Sequence, residues 1–175
     1  MNEKFIKEAA NALKQSFKDC KRWYEGPGYI GTDCVMFGGE QEDIDVIKFM
    51  SGLNTKQTNK AIVNEEMINE IVKKARDNNP YLLEETGLLY DDKKGKTLRV
   101  LLGESVGVMF VNDKYVPKYD VANIFINSEK KLMYVTPFET GGRDNHPWML
   151  VAPCIMDEKL VTYFEPLAKE IVMNF

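Results

Sequence analysis

Cys34 and His146 are the residue types from which a thiol nucleophile and its base are built. Cys34 sits in the string Gly31-Thr32-Asp33-Cys34-Val35-Met36-Phe37-Gly38-Gly39, and His146, the single histidine, sits in Gly141-Gly142-Arg143-Asp144-Asn145-His146-Pro147-Trp148. A thiol hydrolase or transferase needs such a pair and a third group that orients the imidazole. Asp144 and Asn145 offer a carboxylate and an amide beside His146. The catalytic set this reading names is Cys34, His146 and Asp144.

The GTDC string of Gly31 to Cys34 resembles the cysteine motif of papain-like peptidoglycan peptidases over four or five residues. The resemblance implies a nucleophilic Cys34 at a helix N-terminus, where the dipole favours the thiolate. Here Val35-Met36-Phe37-Gly38-Gly39 follows the cysteine, a poor helix start. Asp33 and the acidic residues beyond it oppose a second negative charge. The simpler reading is a small buried thiol and a loop histidine.

Between Asp33 and Asp45 stand Asp33, Glu40, Glu42, Asp43 and Asp45, with no Lys or Arg. Oxygen ligands in such a stretch suit a hard cation, but the spacing lacks the pattern of a calcium-binding helix-loop-helix, and Glu84-Glu85 with Asp91-Asp92 is no better placed. Acidic residues at the start of a helix explain the stretch more simply. No CxxC occurs, and one histidine is too few for a Cys/His zinc site. Neither a metal nor a cofactor is expected.

Gly38-Gly39, Gly141-Gly142 and Gly103 to Gly107 match no dinucleotide or phosphate-loop motif. The Gly141-Gly142-Arg143 loop joins backbone freedom to one of four arginines, a combination that suits an anion. Lys73-Lys74-Arg76 and Lys93-Lys94-Lys96-Arg99 are basic but carry no interleaved aromatics. They read as a helix face and an exposed turn rather than a single-strand binding surface. Trp23, Tyr24, Tyr29, Tyr115, Tyr119 and Trp148 border loops, where aromatics either anchor a partner or close the edge of a core.

The elements that must carry these residues follow from periodicity. Phe5, Ala9, Leu13, Phe17, Cys20 and Tyr24 recur at helical spacing and predict a helix over 2–24, capped by Asn2 and stopped at Gly26-Pro27-Gly28. Cys34 to Phe37 reads as an edge strand or a packed loop. A short helix over 42–52 carries Ile44, Ile47 and Met50 on one side, a further piece runs from Asn54 or Thr55 to Val63, and a helix begins at the Asn64 cap and ends before Pro80. Residues 81–96 look irregular, with one helical turn at 82–86.

Near residue 97 the period changes to two. Strands are expected at 97–102, 106–111, 121–126, 131–136, 148–155 and 160–164, with Pro153 weakening the fifth. Glu165-Pro166 then opens a final helix. This order predicts an α+β fold, N-terminal helices packed on a C-terminal antiparallel sheet and closed by a C-terminal helix. The chain of 175 residues reads as one domain, with 87–97 as the place where two lobes would divide.

Composition narrows the function classes. Hydrophobic residues at 44% and charged residues at 29% exclude a disordered tail or a rod. A net charge of -4 argues against a general nucleic-acid binder. Lys supplies most of the 23 basic side chains, a coding bias that suggests a bacterial or phage genome. No run reaches the roughly 18 apolar residues of a membrane helix, and no secretory leader is visible. Three widely spaced cysteines read as reduced thiols, so a cytoplasmic protein is expected.

The preferred reading is a small acidic binding or regulatory protein acting through protein–protein contacts. Its contact residues would be Trp23, Tyr29, Glu40, Glu42, Asp43 and Arg143. The thiol hydrolase or transferase stands as the alternative.

Overall fold

The computed structural model describes residues 3–20, 22–53, 60–61, 65–76, 80–138 and 147–174. Helix α1 (Glu3–Asp19) is followed by three short strands, β1 (Trp23–Gly26), β2 (Tyr29–Thr32) and β3 (Val35–Gly38). Helix α2 (Gln41–Ser51), the two-residue β4 (Lys60–Ala61) and helix α3 (Glu65–Arg76) come next. Strands β5 (Tyr81–Asp91), β6 (Thr97–Gly103), β7 (Gly107–Asn112), β8 (Ala122–Ile126), β9 (Met133–Pro137) and β10 (Trp148–Val151) precede helix α4 (Glu158–Met173).

The fold is α+β. The strands form the order β4-β1-β2-β3-β10-β9-β8-β5-β6-β7, antiparallel throughout except for β4 beside β1. The expected separation of helices from strands does not hold, because the sheet draws strands from both sides of α2 and α3. The first helix ends at Asp19, and Trp23 and Tyr24 extend to pair with Thr32 and Gly31. Residues 34–37 are no edge: β3 lies between β2 and β10. The piece expected over 54–63 falls mostly outside the described residues, and Lys60–Ala61 within it is strand.

Alternation divides the sheet into two apolar faces. Val35, Phe37, Val135, Met149 and Val151 meet Phe5, Ala9 and Leu13 of α1 and Ile44 and Ile47 of α2. The Phe5 and Phe37 rings stand 6.3 Å apart. The opposite face presents Met36, Tyr134, Leu150 and Trp148 to Ile71, Val72 and Ala75 of α3. A separate cluster packs Leu98, Val100, Val108 and Phe110 against Phe164 and Ala168 of α4.

Four further expectations change beyond residue 80. Residues 81–91 are one long strand, masked in sequence by a bulge between Glu85 and Leu89 where Gly87 takes φ +72°. Residues 160–164 are helical because Asp157 caps α4, accepting from the Leu160 N–H at 2.9 Å. Pro166 therefore lies inside α4 rather than at its start, on the solvent-facing side. There the Thr162 carbonyl, which proline cannot satisfy, is left to other donors. The strand expected over 148–155 stops at Val151, ahead of Pro153. Residues 87–97 lie within the paired strands β5 and β6 and their turn.

The sheet curls strongly. The Ala152 N–H donates to the Cys34 carbonyl at 3.0 Å, and two residues later the Cys154 N–H donates to the Phe110 carbonyl at 2.8 Å. Two residues span at most about 7 Å. A flat sheet would hold β3 and β7, six strand steps apart, at roughly 29 Å. The chain leaving β10 thus links both, and it covers part of the β7 edge.

Candidate functional site

Two features stand out among the described residues: a thiol pair at the mouth of an apolar groove, and the outer face of α2.

The thiol pair is built by a turn. Thr32, buried at the end of β2, donates its hydroxyl to Ser16 Oγ at 3.0 Å, and Ser16 donates to the Leu13 carbonyl at 2.8 Å. The same Thr32 oxygen accepts from the backbone N–H groups of Cys34 at 3.2 Å and Val35 at 3.3 Å. This fastens the β2–β3 turn to α1. Cys20 extends that helix by one bond, its N–H donating to the Ser16 carbonyl at 2.8 Å. The result is a Cys20 Sγ to Cys34 Sγ separation of 2.9 Å, with both residues half-buried.

Burial pushes the Cys34 thiol up from the ordinary 9.0 to about 12, with its contact to Cys20 and the charge of Asp33 adding to the effect. Two tyrosines close the corner. Tyr115 donates to the Asp19 carboxylate and Tyr24 to the Asp33 carboxylate, which also pairs with Arg22 at 3.3 Å. Tyr115 is raised mainly by burial, Tyr24 mainly by its bond to Asp33. A cavity of about 290 Å³ opens beside the pair, bounded by Cys34, Met36 and Leu150 on the sheet and Met67, Ile68 and Ile71 on α3.

The α2 face is built differently. Glu42 and Asp43 occupy the first turn, where the helix dipole favours acids. Gly52, at φ +69°, ends the helix. Ile44 and Ile47 turn inward. Glu42, Asp45 and Phe49 fall at spacings of three and four on the outward side. Phe49 is 87% exposed, and Met50 beside it is also exposed. Lys48 ties the helix to β1 through Glu25 at 2.6 Å.

The expected contact residues separate. Glu40 and Glu42 are exposed. Trp23 at 8%, Tyr29 at 4% and Asp43 at 8% exposure are buried and offer no contact surface, because β1 and β2 turn these aromatics into the core edge. Burial raises the Asp43 carboxyl. Arg143, Asp144 and His146 lie outside the described residues. Pro147 stands beside Gly39, at the end of the β3–β10 ladder opposite Cys34. In the second basic cluster Arg99 is buried rather than exposed. Its guanidinium bonds Asp113 at 2.8 Å, Glu85 at 3.4 Å and the Pro117 carbonyl at 3.0 Å.

Sequence reasoning missed Cys20 as the partner of Cys34, placing it on the apolar stripe of α1. It also missed Phe49, whose position outside the buried stripe of α2 was the available signal. Among the described residues no group of three or more His, Cys, Asp or Glu is placed to hold a metal ion. No described helix is long and apolar enough to cross a membrane. Compared with known proteins, the chain matches no family model, no curated protein and no solved structure.

Proposed function

We propose that this chain is a small acidic binding or regulatory protein that acts through protein–protein contacts, with the outer face of α2 as its contact surface. The observation that carries the reading is Phe49, 87% exposed on the helix side that also bears Glu42 and Asp45. Exposing a phenylalanine to water forfeits its burial, roughly 1.5–3 kcal/mol. A partner that covers the ring recovers this. The occupant that fits is a protein presenting an apolar socket for Phe49 with Lys or Arg at its rim for Glu40, Glu42 and Asp45. Aromatic anchors supply most of the affinity of such contacts, while rim charges steer the encounter.

Affinity capture from cell extract with three baits tests the reading. The baits are the natural chain, Phe49→Ala, and the combined Glu40→Lys, Glu42→Lys, Asp45→Lys variant. The altered side chains are exposed, and far-UV circular dichroism with thermal unfolding of each bait checks that the fold is kept, since the Lys substitutions fall at the start of α2. A protein held by the natural chain and lost from both variants, then bound again in purified form with the same dependence, is the expected result. Identical retention by all three baits contradicts it.

A further inference from the structure

We propose that Cys20 and Cys34 form a dithiol site that a low-molecular-weight disulfide oxidises to an intramolecular disulfide, clamping the end of α1 to the β2–β3 turn. The site is independent of the α2 surface, and either proposal can fail alone.

Geometry carries the inference. The two sulfurs stand 2.9 Å apart, so closing to the ~2.05 Å of a disulfide needs a movement of about 0.9 Å. Both backbones are already fixed. Cys20 is bonded to Ser16 at 2.8 Å, and Cys34 donates to Thr32 and accepts from Ala152. Ordering costs have thus been met by the fold, and the second thiol acts at high effective concentration. Neither residue is fully buried, and Cys34 also borders the groove beside α3, which leaves a path for a reagent.

The chemistry closes in two displacements. One cysteine, as thiolate, attacks a sulfur of the reagent disulfide; a protein–reagent bond forms and one reagent thiolate leaves. The other cysteine gives its proton to solvent and attacks the protein sulfur of that mixed disulfide, expelling the second reagent thiolate. Both leaving thiolates take up protons. Two protein thiols are oxidised by two electrons, and one reagent disulfide is reduced to two thiols.

Cys154 provides an internal control. It packs in the α4 cluster, with its backbone bonded to Phe110, and burial raises its thiol. It takes no part in the pair.

The test exposes the reduced full chain to oxidised glutathione under native conditions. Free thiols are then trapped with iodoacetamide in denaturant, and peptides are mapped by mass. The account predicts a Cys20–Cys34 cross-link, with Cys154 alone alkylated and with mixed disulfides at least tenfold less abundant than the cross-link. Cys154→Ser should form the cross-link at the natural rate. Cys20→Ser should form no internal disulfide, and any modified Cys34 should carry glutathione. Three alkylatable thiols after treatment, stable glutathione adducts on both cysteines, or a cross-link that includes Cys154 would each overturn the proposal.

Discussion

Thr32 donates its hydroxyl to Ser16 at 3.0 Å while accepting two backbone N–H groups from the turn that holds Cys34. One buried oxygen thereby sets the position of the Cys34 thiol relative to Cys20, fourteen residues earlier in sequence. Thr32→Val keeps the shape and removes that oxygen, stranding two donors. The expected cost is about 2 kcal/mol in urea unfolding. Disulfide formation between Cys20 and Cys34 should slow severalfold in the same variant. Unchanged stability would show that the turn holds itself.

Cys34 should be a sluggish nucleophile near neutrality. Its thiol is pushed up to about 12, so iodoacetamide labelling should be slow at pH 7 and climb steeply through pH 10. The groups facing it are Cys20, Asp33 and Tyr115, with Lys96 as the opposing positive charge. Because the folded value lies above the unfolded one, the stability contribution is full below pH 9.0 and is lost as pH rises toward about 12. Cys34→Ser should flatten that part of the alkaline unfolding profile. Rapid labelling at pH 6–7 would favour a thiol enzyme instead.

Arg99 is buried among Asp113, Glu85 and the carbonyls of Val116 and Pro117. Arg99→Met leaves those acceptors without their donor. Burial already raises the Glu85 carboxyl, and Arg99 opposes that rise. The substitution should cost roughly 3 kcal/mol by chemical denaturation, and less at low pH, where protonated carboxyls no longer need the guanidinium. A cost equal at pH 4 and pH 7 would speak against the ion pairs.

Phe164 anchors α4, with ring centroids 5.6 Å from Phe110 and 5.8 Å from Tyr90, both edge-on. Phe164→Ala should destabilise by roughly 3–5 kcal/mol. Hydrogen exchange should quicken first along β6, β7 and α4, whose cluster is separate from the α1 core.

How much of this was legible depended on period. The 3.6-residue stripes over Phe5 to Leu13 and Ile44 to Ile47 and the alternation in β6, β7, β8 and β9 announced those elements. Strands β1 and β2 were hidden because four residues are too short to show a period, and β3 was read only as an edge strand or a packed loop. Strand β5 was hidden because its bulge breaks the alternation at Gly87. In α4, Pro166 outweighed the Asp157 cap as a sequence signal, although an exposed proline leaves the helix intact. The acidic start of α2 was readable. The Cys20–Cys34 contact was not, because it depends on where β2 turns against α1. Trp23 and Tyr29 illustrate the same limit: aromatics beside loops look alike in sequence whether they face solvent or fill a core edge.

The claim that the α2 face binds proteins is tested most directly by titrating the 15N-labelled chain with a synthetic helical peptide of alternating Lys and Leu turns. The account predicts amide shifts centred on residues 40–50, and a Kd that weakens at least tenfold in Phe49→Ala, a change that leaves the net charge untouched. Binding that is spread over the whole surface, or equally tight without the Phe49 ring, would contradict it.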